Sequence, residues 1–321
     1  MPGRGLNGDR TNHPIDIPDA LIASHAKFFG DRGRVWITAL PRLAADCLER
    51  WSLRRDGPAV CGAVALVLPV LLADGTAAVL KLQPIDEETA GEPLALDAWN
   101  GQGAVQLLRH DAGSGSMLLE RLDGAHTLAS VHDDLAALTT ISELLVRLNA
   151  VAAPPGLRRL SDVAAAMLDR VPHALTTLSD PAERRLIRSC AIAVEEVLPE
   201  AGNRLLHWDL HYENVLARHP DDGRCSWVAI DPKPLAGDPG FELLAALHNR
   251  WDDVVASGNV RRAVRRRYDL MTEAQGLDRR RAACWTLGRV LQSLLWESEN
   301  DEPIWSAAPD RAIADMLLER Y

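Results

Sequence analysis

The chain has 321 residues, about twice an average domain of ~150, with 47% apolar and 25% charged residues. That balance excludes a disordered, collagen-like or disulfide-dense chain and leaves one large domain or two lobes. The net charge of −10 argues against a nucleic-acid partner, which needs a basic footprint, and favours cationic ligands.

In chain order, residues 1–15 read as a flexible tail. Gly3 to Gly8 spell GxGxxG, but no strand precedes them and no βαβ unit surrounds them, so the match is chance. The start lacks the apolar stretch of a signal peptide, and no apolar run reaches the roughly 18 residues of a membrane span. Five cysteines are scattered without a CxxC pair. Free thiols in a reducing cytoplasm follow.

Apolar residues at helical spacing predict a helix over Val35–Trp51. Ala63–Leu72 and Ala77–Leu82 read as strands joined by a tight Asp74-Gly75 turn. Pro69 predicts a free edge on the first of them. A polar, Glu-rich helix is expected over 86–100, then short strands over Val105–Arg109 and Ser116–Leu122. Beyond Gly124 helical periodicity takes over, at Leu135–Leu148, Val163–Leu178, Ala182–Leu198, Phe241–Val255, Val260–Gln275, Arg279–Trp296 and Ala308–Leu318. Short strands interrupt it near Arg204–His207, Asn214–Arg218 and Ser226–Ile230. The expected architecture is α+β: a small antiparallel β-rich lobe over 16–122 and a larger helical lobe over 123–321. A hinge is expected at Leu122-Asp123-Gly124.

The densest polar cluster is His207-Trp208-Asp209-Leu210-His211-Tyr212-Glu213-Asn214, between Leu205-Leu206 and Val215-Leu216. Asp231 ends the apolar run Val228-Ala229-Ile230 and stands 17 residues after Asn214. The turn Asp221-Asp222-Gly223 between these segments predicts a hairpin that gathers Asp209, Asn214 and Asp231. Oxygen ligands from Asn214 and Asp231 suit Mg²⁺, which takes one or two protein carboxylates or amides and completes its shell with water and phosphate. Asp209 is then left to orient or deprotonate a hydroxyl. This is the set that phosphoryl transfer needs.

Only three lysines, Lys27, Lys81 and Lys233, occur among 35 basic residues. Lys81 sits inside the apolar strand Ala78-Val79-Leu80-Lys81-Leu82, where an unpaired ammonium is costly. A nucleotide phosphate would hold it, and a Glu on the next helix would fix it. Glu88 is favoured for that role, with Glu92 one turn away and Glu87 also available. Lys233 receives no role.

The order Lys81, helix Glu, His207-x-Asp209-x(4)-Asn214, Ile230-Asp231-Pro232 resembles the protein-kinase-like fold of antibiotic phosphotransferases. Nearly the whole chain resembles the aminoglycoside and hydroxyurea phosphotransferase family, and within it the streptomycin 6-kinases. The segments carrying the resemblance are 207–216, Ala229–Phe241, Met117–Gly124 and Thr286–Gln292 with Trp296. It implies ATP and Mg²⁺, Asp209 as catalytic carboxylate, Asn214 and Asp231 as metal ligands, and Lys81 on the phosphates. It further implies adenine on the main chain of Glu120, Arg121 and Leu122, His207 bracing the loop, and a structural Asp238 bonding backbone near it. The implied acceptor is a small cationic antibiotic, streptomycin at its 6-hydroxyl. Hydroxyurea or another small metabolite is the alternative, and a monomer is expected. The chain departs from protein kinases in His211 two residues after Asp209, in Pro232-Lys233 after Asp231, and in lacking an Ala-Pro-Glu segment, so a protein substrate is not expected.

Four alternatives stay open at this stage. His207-x-Asp209-x-His211 could hold a transition metal, as in a metallohydrolase. The chain could bind nucleotide without catalysis, and Lys81 could be an edge lysine. The acidic, aromatic stretches around Asp252-Asp253 and Trp296-Glu297 to Glu302 are either solvated helix ends or the site for the acceptor's guanidinium groups.

Overall fold

The computed structural model describes residues 15–218, 227–300 and 307–319. The GxGxxG segment, the turn at 221–223 and Asp301-Glu302 lie outside them. The chain divides into two units. One takes the described chain up to Pro93 with Gln106–Arg121; the other takes Leu94–Val105 and the described chain from Leu122 on. The expected single boundary at 122 thus becomes several crossings.

In the first unit, α1 (Asp19–Arg50) bends at Gly30, whose φ of 53° breaks the helical path. Its face of Leu40, Ala44 and Cys47 packs on a sheet. There β1 (Arg54–Arg55) and β2 (Val60–Cys61) flank β3 (Leu66–Leu71), which pairs along its length with β4 (Ala77–Leu82). Leu66, Leu68 and Val70 alternate into the core, the period of a strand with one buried face. β5 (Leu107–Asp111) and β6 (Ser116–Glu120) complete the order β1-β3-β4-β6-β5. β3 is therefore interior, contrary to the free edge read from Pro69. Its outer partner is broken into two short pieces, and the gap between them falls beside Pro69, which has no N–H to donate.

α2 (Glu92–Trp99) is shorter than the helix expected over 86–100. The Asp86 side chain accepts the N–H groups of Glu88 and Thr89, and Thr89 Oγ1 donates to the Pro84 carbonyl. These bonds close a polar turn ahead of the helix, and Pro93 suits the helix's first turn.

In the second unit, β7 (Asp123–Thr127) lies where a hinge turn was expected. The helices α3 (Asp134–Asn149), α4 (Leu160–Thr177) and α5 (Pro181–Val197) follow. β8 (Arg204–Leu206) leads into the polar cluster, and β9 (Val215–Ala217) leads out of it. β10 (Trp227–Ala229) pairs antiparallel with β9, as the predicted hairpin requires, and β11 (Leu235–Gly237) pairs with β8. The helix expected over Phe241–Val255 is instead a 3-10 turn (Pro239–Glu242), α6 (Leu243–His248) and α7 (Trp251–Ala256). The break falls at Arg250, whose φ is 52°. α8 (Val260–Ala274), α9 (Arg279–Asn300) and α10 (Ala307–Leu318) complete the unit. Among the described residues no helix is long and apolar enough to cross a membrane.

Candidate active site

The loop between β8 and β9 is held by bonds that sequence spacing only partly reveals. His207 is fully buried. Its Nδ1 accepts the Asp209 N–H at 3.3 Å, which assigns the proton to Nε2, and Nε2 donates to the Ile230 carbonyl at 2.9 Å. Both nitrogens are thereby occupied, so His207 has no lone pair left for a metal. Among the described residues no group of three His, Cys, Asp or Glu side chains is placed to hold one. The transition-metal reading loses its first ligand.

Burial pushes the His207 ring down to about 4. A group whose folded pKa is depressed contributes stability that is present above its unfolded value near 6.5 and lost as pH falls toward 4. Wild type is therefore expected to lose up to about 3 kcal/mol relative to His207→Gln as pH drops from 6.5 to 4. Denaturant titrations of both proteins across that range check this; a pH-independent difference contradicts it.

Trp208 has φ 65°, a left-handed conformation that costs an ordinary residue roughly 1–2 kcal/mol. Glu242 holds it there. Its Oε1 accepts the His207 N–H at 2.7 Å and its Oε2 the Trp208 N–H at 3.0 Å. Burial pushes this carboxyl up to about 7, against the two N–H groups and the Arg289 charge. Phe241, beside Glu242, packs against the Trp208 ring at 6.3 Å. The Arg158 and Arg289 guanidiniums also lie over that ring, at 4.8 and 5.1 Å. Sequence reading missed Glu242. The signal was available: a carboxylate inside Phe241–Leu247 is as anomalous as Lys81 in its strand.

Asp238 does not reach the loop's main chain. It caps the Pro239–Glu242 turn by accepting the Gly240 N–H at 2.8 Å, and it pairs with Arg281 at 3.0 Å. Gly240 must be glycine, since a Cβ there would stand 2.7 Å from the Ala282 Cα.

Asp209 presents a half-buried carboxylate. Burial pushes it up, but the Lys233 ammonium, the His211 and His207 rings and the Arg289 guanidinium outweigh burial and hold it below the usual range. Its carbonyl accepts the Asn214 Nδ2 at 2.9 Å. That bond fixes the Asn214 amide so that Oδ1, the atom a hard cation needs, is not the one spent on the loop. The Ile230 N–H donates to the Asn214 carbonyl at 2.9 Å and so brings Asp231 alongside. One amide oxygen and one carboxylate fit Mg²⁺, which takes few protein ligands. His211 turns away, with Nδ1 on Glu213 at 2.9 Å.

In the first unit Lys81 is 3% exposed and its Nζ donates to Glu92 Oε1 at 2.7 Å. Glu92, not the favoured Glu88, is the ion-pair partner, because Glu88 belongs to the turn before α2. Gln83 also donates to Glu92. Glu120 accepts the Gln106 N–H at 2.8 Å, and Arg121 bonds Asp56 and the Ala78 and Val70 carbonyls.

The acidic positions expected to meet an acceptor are on separate elements. Asp252 is exposed on α7, while Asp253 pairs with Arg250 at 2.8 Å. On α9, Trp296 is 46% exposed, and burial raises the Glu297 carboxyl. Nearby Glu299 holds Arg170.

The described aminoglycoside/hydroxyurea antibiotic resistance kinase family matches residues 50–301. The chain is 55% identical to streptomycin 6-kinase of Streptomyces glaucescens, over 95% of this chain and 97% of that one. It is 52% identical to streptomycin 6-kinase of Streptomyces griseus, over 95% and 98%. It is 51% identical to hydroxyurea phosphotransferase of Kitasatospora aureofaciens, over 97% and 88%. Among solved structures, an aminoglycoside phosphotransferase in complex with ADP and hygromycin B shares the fold, with TM-score 0.56 and 14% identity over 84% of this chain and 97% of that one. So does macrolide 2′-phosphotransferase of Brachybacterium faecium, with TM-score 0.54 and 20% identity over 87% and 98%. The protein-kinase-like fold, with its antiparallel sheet and helical majority, and a phosphotransferase acting on a hydroxyl follow from these likenesses: the chain belongs to the aminoglycoside/hydroxyurea antibiotic resistance kinase family.

Proposed function

We propose that the protein transfers the γ-phosphoryl group of ATP to the 6-hydroxyl of streptomycin, inactivating it. Full-length identity to two streptomycin 6-kinases carries this reading. Asp209 accepts or orients the acceptor hydroxyl. Asn214 and Asp231 hold Mg²⁺, which when bound neutralises phosphate charge. Lys81, fixed by Glu92, contacts the nucleotide phosphates. The main chain around Glu120, Arg121 and Leu122 receives adenine. His207 braces the loop from behind and Asp238 supports it indirectly. Asp252, Asp253, Trp296 and Glu297 offer carboxylates and an aromatic face to guanidinium groups. The protein works as a cytoplasmic monomer with no nucleic-acid partner. Catalysis on this reading is positioning and charge neutralisation.

Hydroxyurea is the second reading, favoured by the 51% identical relative. A coupled assay of ADP release separates the two. Streptomycin is expected to stimulate release at least tenfold over the acceptor-free rate. Release with hydroxyurea and none with streptomycin overturns the leading acceptor.

A further inference from the structure

Lys233, like Lys27, has no part in the proposed machinery, but it alone of the two stands beside the catalytic loop. Pro232 and Pro234 stand on either side of it, which restricts its main chain. Its N–H donates to the His207 carbonyl at 3.0 Å, tying it to the loop. Its Nζ lies 3.3 Å from Asp209 Oδ2. The two side chains are 41% and 27% exposed, so the pair faces solvent rather than core. Such an exposed ion pair contributes about 0–1 kcal/mol to stability, too little to explain so constrained a placement. Nor does a cation suit the recognition of a cationic acceptor. The anion that must appear beside Asp209 during transfer is the phosphoryl group.

Resting on the phosphotransferase reading above, we propose that Lys233 is a catalytic residue, which contacts the oxygens of the transferring phosphoryl group while remaining beside Asp209. An ammonium has three N–H donors and no acceptor, so one can stay on the carboxylate while another reaches a phosphoryl oxygen. In the step, the acceptor oxygen forms a bond to the γ-phosphorus. The bond from that phosphorus to the bridging oxygen breaks, and its electron pair leaves with ADP. The hydroxyl proton passes to Asp209. Lys233 transfers no proton; it offsets charge on the oxygens in flight. Position 211, where a cation could have served, holds a histidine committed to Glu213.

Lys233→Met and Lys233→Arg test this by steady-state ADP release and thermal melting. Lys233→Met is expected to lower kcat about 100-fold, with KM for ATP and for the acceptor within about threefold and a melting temperature close to wild type. Lys233→Arg is expected to recover at least tenfold of that loss, because it restores the charge. A Lys233→Met variant with kcat within twofold of an active wild type overturns the role of Lys233 alone. So does a loss that Arg does not relieve or that accompanies a fall in melting temperature. A wild type that releases no ADP with streptomycin or hydroxyurea overturns the functional reading, and this role with it.

Discussion

Asp209→Asn is expected to cut kcat by about 10³-fold while leaving the protein folded. The amide keeps the shape of the carboxylate, so the bonds that the His211 N–H and the Asn214 side-chain amide donate to the Asp209 carbonyl persist. What disappears is the ability to accept the acceptor's proton or to fix its hydroxyl by a charge-assisted bond. The stability change is small, because the Lys233 pair is partly exposed and such pairs contribute about 0–1 kcal/mol. KM for ATP is expected to move little, since Lys81 and Glu92 are untouched. Initial-rate kinetics beside a thermal melt check both halves. Turnover within tenfold of wild type removes Asp209 from the chemistry.

Glu242→Ala is expected to fail differently, losing both stability and turnover. The substitution strands two buried N–H donors, at about 1–3 kcal/mol each. It also releases the left-handed Trp208, so the chain can relax toward an ordinary conformation and carry Asp209 with it. A loss of about 3–5 kcal/mol in unfolding free energy and about 100-fold in kcat is the expected result. Glu242→Gln keeps one acceptor oxygen but turns an amide donor toward the second N–H, so it is expected to fall between wild type and Glu242→Ala. Denaturant unfolding and kcat measured on the same preparations test the pair. A Glu242→Ala protein of wild-type stability contradicts the clamp.

Much of this was readable in the chain. The turn at Asp74-Gly75 announced the β3–β4 hairpin, and the 3.6-residue apolar period located α3, α4, α5 and α8 to within a few residues. The loop from His207 to Asn214 stood out because polar side chains were packed between apolar runs. The residues that escaped did so for physical reasons. β1, β2 and β11 are too short for an alternating pattern to emerge. The choice of Glu88 over Glu92 followed from starting the helix too early; Pro93, at home in a first turn, marked the true start. The break at Arg250 depends on a left-handed residue that is not glycine, so no sequence signal announced it. Glu242 acts on main-chain groups, whose partners leave no trace in side-chain spacing.

That last contact has an evolutionary consequence. Glu242 grips peptide N–H groups, which almost every amino acid supplies. The grip itself leaves position 208 open to any residue that tolerates a left-handed backbone, although the buried Trp208 ring is held as well by Phe241, Arg158 and Arg289. Position 242 has no such latitude, because only a forked acceptor of the right reach spans both N–H groups. The mutational sensitivity of the catalytic loop is in this way carried partly by a residue 33 positions beyond Asp209. A scan confined to the loop itself would underestimate what keeps it in shape.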